Sequence, residues 1–248
     1  MKKLFNLIIF ILLGAVTFAK GPLYIGTNAE YPPYEYLENN KIVGLDADII
    51  GELSKRVGFD YKWSNMNFDG LITALQSKKV DMVIAGMTVN KEREKFIDFS
   101  VPYMSPKVCY IVLKTSNINS SKDLENKRIG VELGTTEEGI AKKIPGGKIL
   151  PFTGNTAALL ALKADRIDVM LLDESVAKKY IENNPEIKSI GAATGENKAI
   201  AFNKKDKALK DKIDIELKKM VADGTIQRLK EKYEMWYYEY KFLYNRDF

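Results

Sequence analysis

A chain of 248 residues with 46% hydrophobic residues can build one or two packed cores, and its formal charge of +5 is mild. It has no histidine and one cysteine, Cys109, which excludes Ser-His-Asp and Cys-His catalysis, histidine-ligated metals, Cys clusters and any internal disulfide. Basic and acidic residues are interleaved, so no nucleic-acid footprint is expected.

The first local signal is at the N-terminus. Lys2 and Lys3 precede an apolar run, Leu4–Leu13, broken only by Asn6, and Gly14 to Ala19 supplies small residues before Lys20. This pattern predicts a Sec-type signal peptide over 1–19, cleaved after Ala19; the apolar run is short for a bilayer span. No cysteine follows it, so a lipoprotein anchor is not expected. A soluble exported protein follows, periplasmic in a cell with two membranes.

Leu23–Gly26 reads as a short buried strand whose exit loop, Thr27–Pro33, is fixed by Pro32-Pro33. Asp46–Val57 has apolar residues at 49, 50, 53 and 57, a one-sided helix closed by Gly58. A strand at Asp60–Trp63, a helix at Phe68–Ser77 and a strand at Val80–Ala85 complete a β-α-β-α-β pattern, which argues a parallel, doubly wound sheet. A second unit follows: strands at Val108–Leu113, Arg128–Glu132, Lys148–Pro151 and Val169–Leu172 alternate with helices at Thr135–Lys143, Asn155–Ala164 and Asp173–Asn183. Ala199–Asn203 resumes a strand before helices at Asp206–Ala222 and Thr225–Tyr233. Pattern alone suggests two consecutive α/β domains. The aromatic-rich end, MWYYEYKFLYNRDF, is expected to pack back onto the first unit.

Three stretches carry candidate binding chemistry. In DMVIAGMTVNKEREKFIDFS a strand ends at Gly86, and Thr88 and Arg93 follow in a polar link and charged turn. Glycine lets backbone approach a ligand, and a guanidinium can hold a carboxylate bidentately. In ELGTTEEG a strand gives way to Gly134-Thr135-Thr136 at a helix start, where free N–H groups favour anions; Thr135 as a plain N-cap is the alternative. Asp173 lies where a strand meets a helix, the side on which open α/β sheets bind ligands, although it would serve equally well as a helix cap.

These stretches, with GTNAEYPPYEY, VGLDADIIGELSKRVG, FDGLITALQSKKV, LLDES and VADGTIQRLKEKY, occur in an order that resembles the polar amino-acid-binding proteins of bacterial ABC importers, the solute-binding family 3. The resemblance spans roughly Leu23 to Tyr233. It implies an α/β, two-lobed periplasmic-binding-protein fold of type II, each lobe a mostly parallel sheet flanked by helices, with a two-strand hinge. The first lobe would comprise 20–103 and 199–248, the second 108–193, and the hinge 104–107 and 194–198. It further implies a non-enzymatic monomer that needs no cofactor or metal, closes on an L-amino acid and delivers it to an ABC permease. A secreted arogenate or prephenate dehydratase on the same fold is the alternative, with Glu132 or Glu137 as its acid.

By the same resemblance, Arg93 and the backbone N–H groups of Thr88 and Thr136 hold the ligand carboxylate. Asp173, the Gly86 carbonyl and the Thr88 hydroxyl hold its ammonium, and Tyr31 and Phe68 bracket the side chain. Asn28, Glu132 and Glu137 occupy the positions that set specificity. Two carboxylates facing aromatics suit a cation. Arginine, lysine or ornithine are therefore expected first, and glutamine or another neutral polar amino acid second. Asn28 replaces the aspartate of several basic-ligand relatives, and whether Glu132 faces the cleft depends on strand direction.

Overall fold

The computed structural model describes residues 21–235. The signal-peptide segment and the aromatic end beyond Met235 lie outside the described residues.

The chain begins with β1 (Leu23–Thr27), a small antiparallel sheet of β2 (Glu30–Tyr31), β3 (Glu35–Glu38) and β4 (Lys41–Val43), and α1 (Leu45–Val57). The joint between sheet and helix is Gly44, at φ +121°; a Cβ there would lie 2.2 Å from the Tyr34 carbonyl oxygen, so only glycine fits. The resulting turn lets Leu45 and Asp46 donate their N–H groups to the carbonyls of Pro33 and Tyr34. Helix α1 buries Leu45, Ile49, Ile50 and Leu53, each worth roughly 1.5–3 kcal/mol of apolar transfer. Gly58 ends it in the left-handed region with its N–H on the Ser54 carbonyl, as the sequence predicts.

Then come β5 (Tyr61–Asn65), a tight 3₁₀ turn at Phe68–Gly70, α2 (Leu71–Gln76), β6 (Met82–Val83), α3 (Lys91–Glu94) and β7 (Ile97–Phe99). A second run supplies β8 (Val108–Leu113), β9 (Arg128–Glu132), α4 (Glu137–Ala141), β10 (Lys148–Phe152), α5 (Asn155–Lys163), β11 (Val169–Asp173), α6 (Glu174–Asn183) and β12 (Ile187–Ala193). The chain then returns through β13 (Ala201–Asn203) to α7 (Lys207–Ala222) and α8 (Thr225–Lys232).

Two five-stranded sheets result, ordered β5-β1-β6-β13-β7 and β10-β9-β11-β8-β12. Because β13 pairs with β6 and β7, the C-terminal segment completes the first sheet rather than a third unit. Consecutive domains are therefore ruled out, and the fold is the α/β two-lobed one. The sheets are more mixed than "mostly parallel". The β-α-β strands pair in parallel, but β13 lies antiparallel in the first sheet and β8 is antiparallel to both neighbours in the second. The reason is topological. A strand that arrives from the other lobe enters its sheet without a crossover helix, so nothing forces it to run parallel.

Lys198 forms isolated antiparallel bridges with both Thr88 and Met104, where the two connections between the sheets run side by side. Its N–H donates to the Met104 carbonyl at 2.8 Å, and its own carbonyl accepts from Tyr103 N–H at 3.0 Å.

Candidate functional site

Every residue singled out in the sequence reaches the space between the two sheets. Asn28, Tyr31, Phe68, Gly86, Thr88 and Arg93 come from the first sheet and its loops, and Glu132, Thr136 and Glu137 from the second. All nine line one small internal cavity of about 20 Å³, room for a water or two. Asp173 borders an adjoining, more open cleft of about 560 Å³ that shares Thr88, Arg93 and Thr136.

Tyr31 is positioned by Gly86. At φ +50° and with no side chain, Gly86 leaves room for the Tyr31 ring, which would stand 3.1 Å from a Cβ there. The ring stacks on Tyr34 with centroids 5.5 Å apart, and its hydroxyl accepts from the Asp173 N–H at 3.4 Å. The Gly86 N–H is itself held by Asp46, which also accepts from the Tyr103 hydroxyl. Asp46 thus belongs to the scaffold behind the site. Burial raises it to about 6 and raises Glu35 beside it well above the carboxylate range.

Arg93 sits in α3, whose first turn is capped by the Asn90 side chain on the Arg93 N–H. The guanidinium turns inward and is only 7% exposed. It donates to the Thr88 carbonyl at 2.6 Å and, across the cleft, to the Gly134 carbonyl at 3.0 Å. It also lies over the Phe68 ring, 5.3 Å from the centroid. Phe68 therefore faces Arg93 on one side, which modifies the expectation of a simple aromatic pair around the ligand side chain. Burial lowers the Arg93 pKa, while Glu137 and Glu196 oppose the shift.

The helix after Gly134-Thr135-Thr136 is shorter than its sequence suggests. The helix expected over Thr135–Lys143 spans only Glu137–Ala141. Thr135 does not cap it: its hydroxyl donates back to the Glu132 carbonyl at 2.7 Å. Thr136 instead donates across the cleft to the Thr88 hydroxyl at 3.2 Å.

Glu132 faces inward. Its oxygens accept from Asn28 at 3.2 Å and from Asn155 at 2.5 Å, and its side chain is buried. Burial first, then the charges of Glu137 and Glu30, push it up to about 8; the Asn155 amide pulls it back. Asn155 escaped the sequence reading because an asparagine at the start of a helix looks like an ordinary terminus residue.

Asp173 is fully buried and, although it stands at the N-cap position of α6, its side chain makes no capping hydrogen bond. Its partner is Lys198, Nζ to Oδ2 2.7 Å, and the same ammonium donates to the Thr88 hydroxyl at 2.8 Å. Burial raises Asp173 to about 6 against the pull of Lys198. Lys198 was also missed. A lysine beside the apolar run Ala199–Phe202 reads as a solvated flank, and only strand pairing brings it opposite Thr88.

Contacts that span the cleft (Arg93 to Gly134, Asn28 to Glu132, Thr136 to Thr88, Asp173 to Tyr31) place the lobes in a closed arrangement. The site offers a fork for a carboxylate, a buried acid for an amine and two further acids for a side chain.

Comparison with known proteins agrees with this geometry. Residues 23–235 match the model of the bacterial extracellular solute-binding proteins, family 3. The chain is 36% identical to a probable histidine-binding protein of Campylobacter jejuni over 217 residues, 86% of this chain and 85% of that one. It is equally similar, 36% over 221 residues and 86% of each chain, to an arginine-binding extracellular protein of Bacillus subtilis. Among solved structures, an ancestral arginine-binding protein bound to arginine superposes with a TM-score of 0.82 at 39% identity, over 86% of this chain and 98% of that one. An ancestral arginine-binding protein bound to glutamine gives 0.83 at 39% identity, over 87% of this chain and 99% of that one. These are binding proteins, so the dehydratase alternative is set aside. The fold, the order of motifs and the cleft together make this chain a member of the bacterial extracellular solute-binding proteins, family 3.

Proposed function

We propose that this protein captures a polar or basic L-amino acid (arginine, lysine or ornithine first, glutamine or another neutral polar one second) by closing two lobes, and hands it to an ABC permease as a monomer. The lobes are 20–103 with 199–248, and 108–193, turning about 104–107 and 194–198. Arg93 with Thr88 and Thr136 receives the α-carboxylate, Asp173 the α-ammonium, and Tyr31, Phe68, Asn28, Glu132 and Glu137 the side chain. The observation that carries this reading is the inward, buried placement of Glu132 in the cavity that Glu137 and Arg93 also line. An aspartate or glutamate side chain there would bring a further carboxylate against Glu132 and Glu137, and a leucine would offer them neither a charge nor a hydrogen bond. A cation neutralises them. The names of the relatives, arginine- and histidine-binding, support the same choice.

Calorimetric titration of arginine, lysine, ornithine, histidine, glutamine, glutamate and leucine tests it. Arginine or another basic amino acid is expected to bind at least ~10-fold tighter than glutamine, and glutamate and leucine ~100-fold or more weaker. Tight glutamate or leucine binding would refute the ligand class.

The export signal predicted in the sequence gives a second expectation. Mature protein isolated from the native cell should begin at or near Lys20, carry no lipid and be recovered in the soluble extracytoplasmic fraction. N-terminal sequencing that finds Met1 on membrane-bound material would overturn it.

A further inference from the structure

We propose that Lys198 is a specificity-determining residue that acts as a built-in ammonium: it occupies the Asp173–Thr88 subsite, ties the two lobes together and must be displaced by the ligand's amino group. The proposal rests on the amino-acid reading of the cleft, but one of its two tests does not.

Four observations support it. Lys198 Nζ stands 2.7 Å from Asp173 Oδ2 and 2.8 Å from Thr88 Oγ1, the acid and hydroxyl assigned to a ligand ammonium. The Thr88 hydroxyl also lies 3.2 Å from the Thr136 hydroxyl, so it is engaged on two sides and an incoming amine meets an occupied position. The pair is desolvated, with side chains 4% and 1% exposed, so neither ion can be stripped of its partner cheaply. Finally, the backbone of Lys198 is pinned between Met104 and Thr88, which fixes the root of a side chain with four rotatable carbons.

The three partners come from three parts of the chain. Thr88 follows β6 in the first sheet, Asp173 ends β11 in the second, and Lys198 lies on the returning connection. One ammonium therefore bridges the lobes in this closed arrangement. It stabilises closure in the same way as a ligand amine. When a ligand amine takes Asp173, Lys198 has an exit, because it also borders the wide cleft lined by Glu196. Ligands then differ by how well their amino group competes. A ligand with no amino group leaves the Lys198–Asp173 pair undisturbed.

The experiment compares wild type with Lys198→Met, and with Lys198→Gln as a second variant of different packing. First, small-angle scattering without added ligand: the variants are expected to show a larger radius of gyration than wild type, because Asp173 loses its cross-lobe partner. An unchanged radius overturns the tether. Second, titration with arginine and with deamino-arginine, which has hydrogen in place of the α-amino group. Wild type is expected to bind the two within ~10-fold of each other, since Lys198 supplies the missing ammonium. The variants are expected to bind arginine tighter than wild type, and to bind deamino-arginine ~100-fold or more weaker than arginine, because Asp173 is then buried alone. A wild type that already loses ~100-fold on deamination refutes the inference without any variant, should neither variant fold. Absence of any amino-acid binding would sink the proposed function instead, and the scattering result would still decide the role of Lys198.

Discussion

Replacing Arg93 with alanine is expected to raise the dissociation constant for the amino acid by roughly 10²–10³-fold or more, while the protein remains folded. Truncating one side of a buried, hydrogen-bonded charge pair typically costs about 3–5 kcal/mol, because the other charge is left desolvated. Here the stranded group would be the ligand carboxylate. Arg93 also bonds the Gly134 carbonyl across the cleft, so its loss weakens closure as well as recognition. The fold should survive because Arg93 lies in a four-residue helix whose cap, Asn90, bonds the backbone N–H and not the guanidinium. The carbonyls of Thr88 and Gly134 can then find water when the lobes part, so a stability loss of about 1–2 kcal/mol is expected. Arg93→Lys keeps the charge but loses the fork and should recover only part of the affinity. Calorimetry beside a thermal melt checks both statements. Near-normal affinity in Arg93→Ala means that the carboxylate is held elsewhere.

Glu132→Gln gives the second large effect. Its carboxyl is raised from 4.5 to about 8 by burial and by its acidic neighbours, so at neutral pH without a counter-charge it is mostly protonated. A cationic ligand side chain favours the ionised form, and removing the acid is expected to weaken arginine ~100-fold while changing glutamine by less than ~10-fold. The same shift fixes a pH dependence. Between 4.5 and about 8 the folded protein keeps a proton that the unfolded chain has released, so stability without ligand falls as pH rises through that window. Asp46 and Asp173, both raised to about 6, act in the same direction at lower pH. The unliganded protein should therefore melt at a higher temperature near pH 5 than near pH 8, and Glu132→Gln should flatten the upper part of that slope. Arginine should stabilise wild type most at the alkaline end, where its counter-charge replaces the proton. A melting temperature that rises toward pH 8 without ligand would contradict the assignment.

Much of the architecture was legible because it is written in local periodicity. The stripe at Ile49, Ile50 and Leu53 and the stop at Gly58 define α1 from sequence alone, and the structure buries those side chains. The short strands were not. Ile97–Phe99 follows a charged run, and Ile187–Ala193, at a sheet edge, fully buries only Ile187, so neither has the continuous apolar signal of β8 or β11. Helix α4 ends at Ala141, short of the expected Lys143, because Lys143 and Ile144 turn to tighter i→i−3 bonds on Ile140 and Ala141 ahead of Pro145.

By itself, the sequence determined the α/β class, the family resemblance and the candidate chemistry of Arg93, Asp173, Glu132 and Glu137. Those features depend on residue type, near-neighbour spacing and the order of motifs, all of which a linear text preserves. Only the tertiary structure decided which groups those charges meet. It returned β13 to the first sheet, turned Glu132 inward onto Asn28 and Asn155, laid Arg93 over Phe68 and set Lys198 against Asp173. Asn28 and Glu132 are 104 residues apart, a distance over which no local pattern carries register. An ion pair inside a cleft is fixed by how two sheets are threaded and shut, because burial and not identity gives a lysine and an aspartate their strength.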